Sequence, residues 1–86
     1  MDINQLIEIV KNKISEKINV ENITVKDKTF LHKNHKGFKK NQYHIEVIIK
    51  SKQLNNKNKI DSTRIIYKIL DEEIKNYIHS LKILFI

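Results

Sequence analysis

The chain has 86 residues, with 17 Lys and Arg against 10 Asp and Glu, a formal net charge of +7, and no cysteine. The missing cysteine excludes a disulfide framework, a thiolate zinc site and a thiol nucleophile supplied by this chain. A chain of this length has room for one domain, 1–86, which buries only about 60–65% of the surface exposed when unfolded, and its apolar runs fall far short of the roughly 20 residues a membrane-spanning helix needs.

Ile3, Leu6, Ile7, Val10, Ile14 and Ile18 recur at helical spacing, with Lys11, Lys13 and Lys17 largely off the stripe. The spacing predicts an amphipathic helix over Ile3–Ile18, capped by Asp2, in place of a signal peptide at the start. From Asn22 to Thr29 the period changes: Ile23 and Val25 alternate with Thr24 and Lys26, as in a short strand. The polar, basic run from Phe30 to Asn41 holds the only glycine, Gly37, and predicts a mobile loop. Tyr43, Ile45, Val47 and Ile49 then line one face of a second strand, with His44, Glu46 and Lys50 on the other, and the two strands are expected to pair antiparallel.

Lys52–Lys59 reads as a polar connection. A helix is predicted from near Asp61, capped by Asp61 or Ser62, with Ile66, Ile69, Leu70 and Ile74 at helical spacing. Asn76 can take the left-handed conformation that ends a helix, and a strand opens with His79, where Leu81, Ile83 and Phe85 alternate. A strand, a right-handed crossover helix and a further strand put the second and third strands parallel. The expected fold class is α+β: a two-layer α-β-β-α-β domain whose three-stranded mixed sheet carries both helices on one face.

Few residues have the chemistry of a site. His79 shares the parity of Leu81 and Ile83, so it reads either as a core-edge histidine with a hydrogen bond or as a neutral imidazole ligand. His32 and His35 are solvated loop histidines or ligands, and His44 reads as structural. Asp71, Glu72 and Glu73 make a charged helix face for Lys68 and Lys75. Ser51 and Ser62 lack a nucleophile motif and a single glycine allows no phosphate-cradling loop, so no enzyme is expected. Lys33, Lys36, Lys39 and Lys40 around Phe38 support an alternative, a nucleic-acid-binding module for DNA or RNA, against which the basicity reads as a solvated lysine-rich surface.

Several short motifs occur in one order. Asp27, Thr29 and His32 match D-x-S-x-x-H, and His44–Ser51, HIEVIIKS, is similar to H-F-x-V-x-x-V-S. Arg64, Tyr67, Leu70, Glu72 and Glu73 match R-x-x-Y-x-x-L-x-E-E, and Ile78–Leu81 is similar to I-H-A-L. In this order and spacing the chain resembles the BolA family, without a gap from His44 to Ile83. Leu54 stands where that family usually has phenylalanine, Asn56 where it has glycine, and Ser62-Thr63 where it has the Arg-His of R-H-R.

The resemblance implies a fold similar to the class II KH domain, although the nucleotide-clamping G-x-x-G loop of KH domains is absent here. It implies a heterodimer with a monothiol glutaredoxin in iron–sulfur cluster assembly and trafficking. A 2Fe–2S cluster would be bridged between the two, with thiolates from the glutaredoxin and glutathione on one side. This chain would supply His79 and a loop histidine, His32 with His35 as its substitute. The isolated chain is expected to be a monomer without a cluster, cytoplasmic or, if a targeting segment is missing, mitochondrial. The family's link to transcriptional regulation in bacteria keeps the nucleic-acid alternative in view.

Overall fold

A computed structural model of the chain describes residues 1–29 and 42–86. The predicted loop, with His32, His35, Gly37, Phe38 and the four loop lysines, lies outside the described residues.

Helix α1 (Ile3–Lys17) begins at a reciprocal cap. Asp2 accepts from the Gln5 N–H at 2.8 Å while the Gln5 side chain accepts from the Asp2 N–H at 3.1 Å, so two open groups satisfy each other. The apolar stripe buries Leu6, Val10 and Ile14, and Ile18 follows it into the core. Strand β1 (Asn22–Asp27) pairs antiparallel with β2 (Tyr43–Lys50), and β2 pairs parallel with β3 (Ile78–Phe85), so β2 is central.

One face of the sheet is built by Ile23, Val25, Ile45, Val47, Ile49, Leu81, Ile83 and Phe85, all in or against the apolar core. Leu6, Val10 and Ile14 of α1 meet this face together with Leu54, Ile66 and Leu70. On the other face Thr24, Lys26, Ser80, Lys82 and Leu84 are exposed, and Lys82 reaches Glu46 at 3.6 Å. The α+β class and the mixed three-stranded sheet are therefore as expected.

The helical crossover differs from the expected single helix. It comprises α2 (Lys52–Asn55), α3 (Lys59–Ile69) and α4 (Asp71–Asn76). Helix α2 forms because Ser51 is placed to cap it: its hydroxyl accepts from the Leu54 N–H at 3.3 Å and donates to the Asn19 carbonyl at 2.7 Å, while Leu54 is driven into the core. Helix α3 starts two residues earlier than Asp61 because Asn58 is the cap, accepting from the Asp61 N–H at 2.8 Å. Ser62 is buried instead and donates to the Leu54 carbonyl at 2.7 Å, tying α3 to α2.

Leu70, at φ −98° and ψ 16°, separates α3 from α4, though its N–H still bonds Ile66 and its carbonyl accepts from Ile74. Helix α4 includes Asn76 and ends on Tyr77 at φ −133°, without the left-handed residue expected there, and β3 starts at once with Ile78. Asp71 does pair with Lys75 at 3.0 Å. Glu73 does not belong to an exposed face: it is 4% exposed and reaches across to α1, where Lys13 Nζ lies 2.6 Å from Oε2.

Candidate functional site

Strand alternation alone would place His79 beside Leu81 and Ile83 on the core face. The register between β2 and β3 prevents this. Tyr43 is opposite Ile78 and His44 is opposite Ser80, so His79 is an extra residue in β3, a bulge at the start of the strand. Ile78 stays buried, the alternation resets, and His79 and Ser80 are both exposed. The bulge thus converts a core-edge position into an accessible imidazole on an edge strand.

Behind that imidazole stands His44. It lies on the sheet face opposite Ile45 and Val47, yet it is only 7% exposed. Its ring meets the ring of His79 edge-on, with centroids 5.2 Å apart and planes inclined by 60°. The backbone of His44 is fixed from β1: its carbonyl accepts from the Lys28 N–H at 2.7 Å and its N–H donates to Thr29 Oγ1 at 3.2 Å. Asp27 holds Thr29 in turn, accepting from the Thr29 N–H at 2.9 Å. On the other side the Tyr43 N–H donates to the Tyr77 carbonyl at 2.8 Å, just before the bulge.

These contacts bring three chain segments to one end of the sheet. The connection carrying His32 and His35 leaves β1 after Thr29 and returns at Gln42, next to Tyr43 and His44 and so beside His79. Of the sequence-predicted ligands, His79 is placed and accessible, whereas His32 and His35 lie outside the described residues, as do Lys33, Lys36, Lys39 and Lys40. Among the described residues no three His, Asp, Glu or Cys side chains converge as a metal site. What the described part offers is one exposed imidazole backed by a second.

A sequence profile described as BolA-like protein matches residues 14–85. The chain belongs to the BolA-like family. Solved structures agree at the level of the fold. The BolA domain of SufE1 from Arabidopsis thaliana is 22% identical, with a TM-score of 0.79 over 99% of this chain and 92% of that one. BolA1 from the same plant is 22% identical, with a TM-score of 0.78 over 92% of this chain and 87% of that one. BolA1 from Mus musculus, a solution structure, is 17% identical, with a TM-score of 0.73 over 91% of this chain and 61% of that one. No curated protein matches the sequence significantly.

Within this BolA-like chain most of the motif residues have structural work. Asp27 and Thr29 fasten the end of β1 to His44. Ser51 caps α2, Leu70 fills the core, and Glu73 ties α4 to Lys13. Leu54 is fully buried, so an aliphatic side chain fills the place of the more usual phenylalanine. Asn56 sits at φ −76° and ψ −8°, a conformation that does not require glycine. Among the described motif residues, His79 is the one left with an exposed imidazole.

Sequence reasoning read His44 as structural and did not pair it with His79. Its place behind His79 emerges when the two strands are paired with each other: Tyr43 lies opposite Ile78, so the residues that follow, His44 and His79, meet at the same end of the sheet. Reading each strand by its own alternation does not make that comparison.

Proposed function

We propose that this BolA-like chain is the partner of a monothiol glutaredoxin in iron–sulfur cluster assembly and trafficking. The cluster is cargo shared between the two proteins. Thiolates of the glutaredoxin and of glutathione hold one side, and this chain offers His79 together with His32, for which His35 substitutes. The supporting observation is the accessible imidazole of His79, set by a bulge at the end of the sheet where the His32-bearing connection leaves and returns.

The donor chemistry fits. Neutral imidazole is a good iron ligand, and two imidazoles on one iron with two thiolates on the other is a known way to hold a 2Fe–2S cluster. A chain without cysteine contributes to such a cluster through nitrogen or carboxylate oxygen. Two imidazoles leave the remaining positions unfilled, so the isolated chain should hold no stable cluster and the site is completed by the partner.

The test is co-purification with a monothiol glutaredoxin and glutathione, followed by visible absorption and circular dichroism. The mixture should give a spectrum distinct from that of the glutaredoxin homodimer. His79→Ala should abolish that difference, while His32→Ala should weaken it only in part because His35 can replace the lost ligand. Identical spectra for wild type, His79→Ala and the homodimer would overturn the proposal. Tight, sequence-selective binding of labelled DNA or RNA at physiological salt would instead favour the nucleic-acid module built on the loop lysines.

A further inference from the structure

We propose that His44 is a positioning residue for His79: its buried ring is the wall against which the exposed imidazole is held in one orientation for the cluster. This inference rests on the reading of His79 as a ligand and adds a residue that acts through it.

The two rings differ sharply in environment. His79 is exposed on an edge strand at a bulge, where a side chain would ordinarily sample several rotamers. His44 is 7% exposed, on the central strand, with its backbone bonded on one side to Lys28 and Thr29. A ring so fixed can serve as a reference for a neighbour that is not. The separation of 5.2 Å and inclination of 60° are those of edge-to-face packing, in which the positive edge of one ring meets the negative face of the other.

The bulge offsets the two residues. In an unbroken register the residue after Ile78 would pair directly with His44 and lie flush with it in the sheet. As the extra residue, His79 is placed so that its ring instead leans edgewise on that of His44. Among the described residues this end of the open face also carries Ser80, with Glu46 and Lys82 engaged in their own ion pair. Among these described neighbours only His44 presents a ring to His79. A ligand held this way loses less conformational freedom when it binds iron, and that freedom otherwise counts against coordination.

The consequence is a graded loss rather than an absent ligand. Removing an edge-to-face partner should weaken cluster retention by about 2- to 10-fold, against complete loss of the mixed-ligand spectrum for His79→Ala. Three substitutions at His44 separate the possibilities. His44→Phe keeps an aromatic ring without nitrogens, His44→Leu keeps much of the volume without a ring, and His44→Ala removes both.

The first measurement needs no cluster. In the isolated full chain, NMR of ring-labelled histidine reports whether His79 populates one side-chain rotamer. One rotamer is expected for wild type and His44→Phe, and averaging for His44→Leu and His44→Ala. The second measurement is the release of the cluster from the glutaredoxin complex to a chelator, with circular dichroism and electron paramagnetic resonance of the reduced state. His44→Phe should match wild type and His44→Leu should lose cluster faster, with the same spectrum. Denaturation midpoints show which variants are folded, and the Phe and Leu pair decides the matter if His44→Ala is not.

Equal rotamer populations for His79 in the wild type and His44→Leu would overturn the inference. So would a changed spectrum with complete loss for His44→Phe, which would make His44 itself a ligand. If wild type forms no cluster with glutaredoxin, the proposed function fails, while the NMR of the isolated chain still decides whether His44 orders His79.

Discussion

Thr29→Val tests the anchoring of the site at its most specific point. Regular pairing of β1 with β2 reaches Asp27 opposite Ile45, and beyond it the Lys28 N–H still reaches the His44 carbonyl at 2.7 Å. The next group in need of a partner is the His44 N–H, and it is met by a side chain, Thr29 Oγ1 at 3.2 Å. Valine matches threonine in shape but cannot accept. The hydrogen bond lies in a half-buried position, so the orphaned N–H should cost about 1–2 kcal/mol, toward the lower part of the range for unsatisfied groups. In a domain of this size each kcal/mol moves the melting temperature by roughly 4–8 °C. Thermal and urea denaturation should therefore show a clear drop for Thr29→Val and little change for Thr29→Ser, which keeps the hydroxyl. A loss in Ser without a loss in Val would point to the methyl group in place of the hydroxyl, and no loss in either would mean that water satisfies the His44 N–H. Either result refutes the anchoring role.

Other expectations concern the frame behind the site. The side-chain hydrogen bond from Lys13 to Glu73 raises the lysine above its usual 10.5, aided by the charges of Glu73 and Glu72 and opposed by desolvation. A raised folded-state value means that the stabilisation is whole below pH 10.5 and lost as pH climbs through the folded-state value. Lys13→Met should therefore be less stable than wild type at neutral pH and converge on it in strongly alkaline buffer, as measured by urea midpoints across pH. Leu54→Ala should cost about 2–5 kcal/mol, because a fully buried side chain that joins α2 to the core leaves a cavity. Asn56→Gly brings in the residue more usual in the family, yet it should destabilise by roughly 0.5–1 kcal/mol, since the observed φ of −76° needs no glycine and the unfolded chain gains freedom. A stability gain for Asn56→Gly would contradict that reading of the turn.

Long elements with one clear period were legible in the sequence. The α1 stripe, its Asp2 cap and the inward face of β2 follow from apolar spacing alone, and strand pairing follows from chain order. What escaped was decided by contacts between segments distant in sequence. Helix α2 offers a single apolar residue, Leu54, and exists because Ser51 bonds to Asn19 more than thirty residues earlier in the chain. Glu73 looks like its acidic neighbours until Lys13 of α1 is brought to it, sixty residues away. The motif identified the family through spacing, but spacing does not distinguish a Glu that is exposed from one that is buried.

The bulge is the sharpest case, because Leu81, Ile83 and Phe85 keep an even spacing in the sequence and give no local sign of it. Two strands need a common register, and this one is pulled from both ends. Ile78 must be buried opposite Tyr43, whose N–H is already bonded to Tyr77, while Leu81, Ile83 and Phe85 must lie with Ile45, Val47 and Ile49. From Ile78 to Leu81 is three residues and from Tyr43 to Ile45 is two, so one residue of β3 has no place in the ladder. The unmade ladder bond costs about 0.5–1.5 kcal/mol, less than leaving one large aliphatic side chain of the core face in water, at about 1.5–3 kcal/mol. Burial of the apolar residues therefore fixes the irregularity, and the irregularity turns His79 out. The same core that stabilises this small domain thus decides that its imidazole faces outward, which is why substitutions that relax the register at Ile78 or Leu81 should alter the site even though neither side chain can itself be a ligand.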